Sequence, residues 1–164
     1  MIDTGRVGVG FSGSLLDDTD IGGLQFEVTA SRLAAYVHKG QMYGGVPYTE
    51  HLKAVAEKAE ELFGYDEYTE AVAYLHDILE DTNMTEDTLH KYGVGRGIIQ
   101  AIVTVTKSGG VSYKEYIRNI VEVGGTAWKV KVADTMCNLE ASILSCEHDR
   151  VRKYGKQMDL LYKR

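Results

Sequence analysis

The segment AYLHDILEDTN, residues 73–83, sets His76 beside Asp77 in an apolar run and follows them with Glu80 and Asp81. An imidazole and a carboxylate together suit a borderline or hard divalent ion, and a further carboxylate can orient or deprotonate a water. On one continuous helix, His76 with Glu80 and Asp77 with Asp81 would share faces, while His76 and Asp77 would diverge by about 100°. The adjacent pair can therefore reach a single ion from neighbouring directions. Glu80 and Asp81 would lie about 6 Å farther along the axis, which suits a water or substrate beside the ion. A solvated helix edge or a salt-bridge network would use the same residue types.

Two ligands do not complete a site. The remaining histidines are His38, His51, His90 and His148. His90 sits in a short polar stretch and His148 in CEHDR, and both read as exposed. His51 falls in the first turn of a predicted helix, just after a loop containing the only proline. Farther on, VKVADTMCNLE (130–140) puts Asp134 in an apolar helix with Asn138 one turn later on the same face. A carboxylate there is costly unless paired, protonated or metal-bound. Taken singly, Asp134 also reads as a cap or salt-bridge member, and His51 as a helix cap.

The elements that must position these residues are helical. Residues 1–23, MIDTGRVGVGFSGSLLDDTDIGG, are rich in Gly and Asp and read as an irregular arm. Gly8, Gly10 and Gly13 spell G-x-G-x-x-G, but the SLLDDTD that follows is acidic and unlike a dinucleotide-binding turn. From 24 to 164 the periodicity predicts a single all-α domain. Its helices run from about Leu24 to Lys39, from Thr49 to Phe63, and from Asp66 or Tyr68 to Asp81. A short one follows Thr85, and others cover about 95–106, 112–123, 126–146 and 149–162. The β-branched AIVTVT is read as helix because no partner strand is evident.

Composition narrows the function classes. The 164 residues carry 44% hydrophobic and 26% charged residues, ordinary for a globular domain. A net charge of −6 argues against a nucleic-acid polymer as partner, and the basic RVRKYGK (150–156) reads as a solvated helix face. No apolar run reaches membrane-span length, and the N-terminus lacks the regions of a signal peptide. Cys137 and Cys146 do not suggest a disulfide framework, so a cytoplasmic setting is expected. A homo-oligomer is compatible with all of this.

Together the motifs resemble the RelA/SpoT-type (p)ppGpp hydrolases of the HD superfamily, including the small alarmone hydrolases. The resemblance runs through AAYVHKGQMYGGVPYTEHLKAVA (34–56), AVAYLHDILEDTNMTEDTLHKYG (71–93), VTVTK (103–107) and VKVADTMCNLEAS (130–142). It implies an HD-type helical bundle that removes a nucleotide 3′-pyrophosphate, a stringent-response activity. It also implies one divalent ion, commonly Mn²⁺, on His51, His76, Asp77 and Asp134, with Glu80 and Asp81 as the catalytic acid pair. Asn138 falls on the active-site asparagine of the family.

The chain departs from that pattern at several points. The family's Arg-Lys pair after the loop glutamine is absent, since Gln41 is followed by Met42, Tyr43 and Gly44. Thr135 stands where Arg or Lys often follows the metal aspartate, and Glu140 and Ala141 replace an Arg and a Thr-like residue. Two imidazoles and two carboxylates suit Mn²⁺, with Fe²⁺, Co²⁺ or Zn²⁺ as alternatives. Glu80 is expected to orient or deprotonate the attacking water, with Asp81 positioning it. Lys107 or Lys131 would offset phosphate charge, Asn138 would hydrogen-bond a sugar hydroxyl or phosphate, and Tyr43 or Tyr48 would stack on a base. His38 is read as a supporting residue. The altered loop leaves open an HD nucleotidase for a dNTP, NADPH or another signalling nucleotide. A non-catalytic nucleotide-binding module and a helical interaction protein with a structural ion are the other readings.

Overall fold

A computed structural model describes residues 11–12 and 27–163. The G-x-G-x-x-G glycines and nearly all of the predicted arm lie outside the described residues.

The helices are α1 (Ala30–Val37), α2 (Tyr48–Phe63), α3 (Glu67–Leu75), α4 (Ile78–Asp81), α5 (Glu86–Lys91), α6 (Arg96–Val105), α7 (Tyr113–Val123), α8 (Gly125–Leu144) and α9 (His148–Tyr162). Among the described residues two antiparallel ladders accompany them: β1 (Phe11–Ser12) with β2 (Glu27–Val28), and β3 (Met42–Tyr43) with β4 (Val46–Pro47). The all-α expectation therefore describes the architecture, with small strands added. The first helix starts at Ala30 rather than Leu24, because Glu27 and Val28 are extended and Thr29 caps it by accepting from the Arg32 N–H.

Two hydrophobic clusters share α8. Leu33, Leu52, Val55, Val72, Leu75, Ile78, Ile98 and Ile102 pack with Val130 and Ala133 on one side. Tyr116, Ile117, Ile120 and Leu161 pack with Val132 on the other. A helix covered on both sides needs apolar residues nearly all round. That is why a charged residue in its middle, Asp134, requires a specific partner.

Local sequence explains the ends. Ser112 and Thr85 open α7 and α5 with reciprocal capping boxes. Gly64 ends α2 at φ 81°, a conformation other residues adopt at a cost.

Two local differences shape the site. QMYGGVPY, expected as a plain loop, is a hairpin in which Gly44 (φ 57°) and Gly45 (φ 85°) form the tight two-residue turn. The helix expected to run unbroken to Asp81 instead breaks at the His76–Asp77 step. Asp77 adopts φ −100°, ψ 3°, and α4 restarts with the Glu80 and Asp81 N–H groups both donating to the Asp77 carbonyl. Glu80 and Asp81 thus belong to a separate turn, and helical stacking on His76 and Asp77 does not set their placement.

Candidate metal centre

Four side chains from three parts of the fold converge at the base of one cleft. His51 comes from the first turn of α2, His76 and Asp77 from the α3–α4 break, and Asp134 from the middle of α8. One ligand atom from each of His51, His76 and Asp77 lies within 4.8 Å of the others. His51 Nε2 is 3.3 Å from Asp134 Oδ1, and His76 Nε2 is 3.0 Å from Asp77 Oδ2 and 3.7 Å from Asp134 Oδ1. Bonds of about 2.1 Å at right angles would place neighbouring donors about 3 Å apart around one ion. The spacing therefore fits a divalent cation.

His76 carries the strongest sign of one. Its Nδ1–H donates to the Ala73 carbonyl at 2.7 Å, which directs Nε2 toward the cluster. Nε2 is buried and makes no hydrogen bond, although Asp77 Oδ2 is only 3.0 Å away. Burial would lower the pKa of this ring, yet Asp77 and Asp134 raise it well above the ordinary value. The pocket between these carboxylates demands positive charge, which a proton or a metal cation can supply.

The carboxylates are held from behind. Tyr48 donates its hydroxyl to Asp77 Oδ2, and its ring lies between His38 (centroids 5.0 Å apart) and His51 (5.7 Å). Burial, reinforced by Asp77 and Asp81, pushes the Tyr48 hydroxyl far above the phenol range, so it stays a donor. Asp134 accepts from Lys131 Nζ at 2.9 Å through Oδ2 and from Asn138 Nδ2 at 2.6 Å through Oδ1. Burial opposes ionisation of both aspartates. Even so, His76 brings Asp77 down to about 2, and Lys131 with the histidines holds Asp134 well below the carboxylate range. Both remain anionic at neutral pH.

Above this cluster lies a cleft of about 360 Å³. Glu80, Asp81, Lys107, Lys131, Tyr43, Tyr48 and Asn138 all line it. The Glu80 carboxylate accepts from the Lys107 backbone N–H, so Lys107 meets the acid through its main chain. Lys131, expected to offset phosphate charge, is largely buried between Asp134 and the Tyr116 ring. His90 and His148 are exposed, and His38 is buried behind Tyr48.

Sequence reasoning missed the cations of α9. Arg150 and Lys153 line the cleft, so RVRKYGK is not simply a solvated face. Arg150 Nη2 donates to the Tyr43 hydroxyl at 2.5 Å, and Tyr43 donates to Asn138 Oδ1 at 2.5 Å. The α9 side thus supplies positive charge across from the hairpin that lacks its own arginine. Arg150 and Tyr154 are four apart, which places them on one helix face, but only packing reveals that this face meets the cleft.

No protein-family model matches the chain. It is 30% identical, over 142 aligned residues and 77% of its length, to a curated Brucella suis biovar 1 (strain 1330) protein named GTP pyrophosphokinase rsh. The chain spans only 19% of that relative. A solved structure described as a metazoan ortholog of SpoT that hydrolyses ppGpp, with a role in starvation responses, shares the fold at a TM-score of 0.69. Identity to it is 23%, with 81% of this chain and 83% of that one covered.

Proposed function

We propose that the chain is a RelA/SpoT-type protein, as its 30% identity to the Brucella relative and its shared fold support, and that it is a metal-dependent phosphohydrolase acting on a nucleotide pyrophosphate ester. The 3′-pyrophosphate of (p)ppGpp is the first substrate to test. The observation that carries this reading is the buried, unpartnered His76 Nε2 facing Asp77, Asp134 and His51 at the base of a cleft lined by both acids and cations.

His51, His76, Asp77 and Asp134 would hold one divalent ion, for which Mn²⁺ fits the mixed nitrogen and oxygen donors. That ion would supply polarisation of a phosphoryl oxygen and an acidified water. Glu80 and Asp81 line the cleft on the turn beyond the ligands. Glu80, held by the Lys107 N–H, would accept the proton of the attacking water as its oxygen bonds to phosphorus. The phosphorus–oxygen bond to the ribose breaks, and the departing oxygen takes up a proton as pyrophosphate leaves. Asn138 and Arg150 would bind hydroxyl or phosphate oxygens, and Lys131 would keep Asp134 ionised and oriented. Tyr48, with its hydroxyl on Asp77, would act on the ligand shell, while Tyr43, bonded to Asn138, would meet a bound nucleotide from the hairpin.

One observation favours a second reading. Tyr43, tied to Asn138 and Arg150, occupies the hairpin position nearest the cleft, which makes recognition of another nucleotide the alternative. The test is product-resolved hydrolysis of ppGpp, pppGpp, GTP, dNTPs and NADPH with Mn²⁺ and after chelation. Metal-dependent pyrophosphate release from ppGpp supports the first substrate, and preference for another member of the panel supports the alternative. Absence of hydrolysis across the panel contradicts the enzymatic reading. Among the described residues no helix is long and apolar enough to cross a membrane, and the expected setting is cytoplasmic.

A further inference from the structure

The break at His76–Asp77 leaves a mechanical question. Glu80 and Asp81 sit on α4, a four-residue turn detached from the helix that ends at Leu75. So short a turn has little rigidity of its own. Something outside it must fix the acids relative to the ligands.

Gln41 is placed to do so. Its Nε2 donates to the Asp81 carbonyl at 2.9 Å, bridging residues 40 positions apart. Its Oε1 faces His38 Nδ1 at 2.7 Å. The main chain of Gln41 is itself held on both sides, with its N–H on the His38 carbonyl and its carbonyl accepting from the Tyr48 N–H, both at 3.0 Å. His38 is only 2% exposed, and its Nε2 has no hydrogen-bond partner. A proton on Nδ1 donates to Gln41 Oε1 and thereby turns the amide N–H₂ toward Asp81. The opposite amide orientation would set Oε1 against the Asp81 carbonyl, acceptor against acceptor.

We propose that Gln41 is a positioning residue, oriented by His38, that fixes the α4 turn and so sets the register of Glu80 and Asp81 against the metal ligands. This rests on the reading of the site as a hydrolase for its effect on turnover. It does not touch the ion's four ligands, so the clamp governs the reacting acids separately from metal affinity. Tyr48 performs the parallel task one residue past the break, through Asp77.

The test compares wild type with Gln41→Glu and Gln41→Met. Glutamate keeps an acceptor for His38 but meets Asp81 with a second oxygen, and methionine keeps the length without either hydrogen bond. Both variants are expected to lower kcat about ten- to a hundredfold, as displaced catalytic groups do, with KM and Mn²⁺ affinity little changed. Both should also speed amide hydrogen exchange across residues 78–82. Unchanged exchange in that segment overturns the clamp. Faster exchange with unchanged kcat overturns its role in positioning, and so does a loss confined to the glutamate variant. A wild-type protein that hydrolyses no nucleotide contradicts the enzymatic reading instead, and exchange at 78–82 then still decides whether the clamp exists.

Discussion

The Tyr43 hydroxyl on the β3–β4 hairpin donates to Asn138 Oδ1 on α8 at 2.5 Å, joining residues 95 positions apart across the mouth of the cleft. Asn138 Nδ2 is meanwhile bound to Asp134, and the same Tyr43 oxygen accepts from Arg150. Hairpin, α8 and the C-terminal helix are thus linked through one phenol.

Arg150 is the member of this link with charge to offer a phosphate. Hydrogen bonds to charged groups contribute about 1.5–3 kcal/mol, so Arg150→Ala should raise KM for the preferred nucleotide about ten- to a hundredfold. Mn²⁺ affinity should stay near wild type, because Arg150 touches none of the four proposed ligands. Steady-state kinetics beside a metal titration check this. An unchanged KM would remove Arg150 from the binding surface.

Lys131 gives a prediction about stability. Its ammonium lies 2.9 Å from Asp134, with both side chains largely buried. Removing one partner of such a pair leaves an uncompensated charge at a cost of about 3–5 kcal/mol. Lys131→Met should therefore destabilise the chelated protein by about that amount in denaturant unfolding. Saturating Mn²⁺ should recover much of the loss by neutralising Asp134. Equal losses with and without metal would show that the ion does not reach Asp134.

Acid should weaken metal binding. In the metal-free site, burial alone would lower the His76 pKa, but Asp77 and Asp134 raise it well above the ordinary value. The ring's own contribution to metal-free stability is therefore present below its unfolded pKa and fades as pH rises through its folded one. A metal must displace that proton, so affinity falls as pH falls and binding releases protons. Calorimetry in buffers of different ionisation enthalpy at neutral pH should show proton release. Buffer-independent heats would contradict a protonated His76 in the free protein.

Most of the architecture was legible because helical period and caps are local. Gly64, Thr85 and Ser112 mark their boundaries as the sequence suggests. The break at His76–Asp77 was not legible, since it is Asp77 that departs from helical dihedrals, and the partners of the two residues, Tyr48 and Asp134, are distant in sequence. The hairpin did have a local signal, Gly44–Gly45, but its strands are only two residues each and show no alternation. The α9 cations escaped because their orientation depends on where the last helix packs. The spacing of His76, Asp77, Glu80 and Asp81 was informative about residue types and misleading about geometry, since it assumed a helix that the fold interrupts.

The central claim is that His51, His76, Asp77 and Asp134 hold the ion on which hydrolysis depends. Its most direct test is Mn²⁺ binding to chelator-stripped wild type and Asp77→Ala, measured with pyrophosphate release from ppGpp in the same preparations. The account predicts metal-restored release by wild type, and loss of both tight binding and release in the variant. Full activity of the stripped wild type with chelator present, or wild-type binding and release by Asp77→Ala, would contradict it.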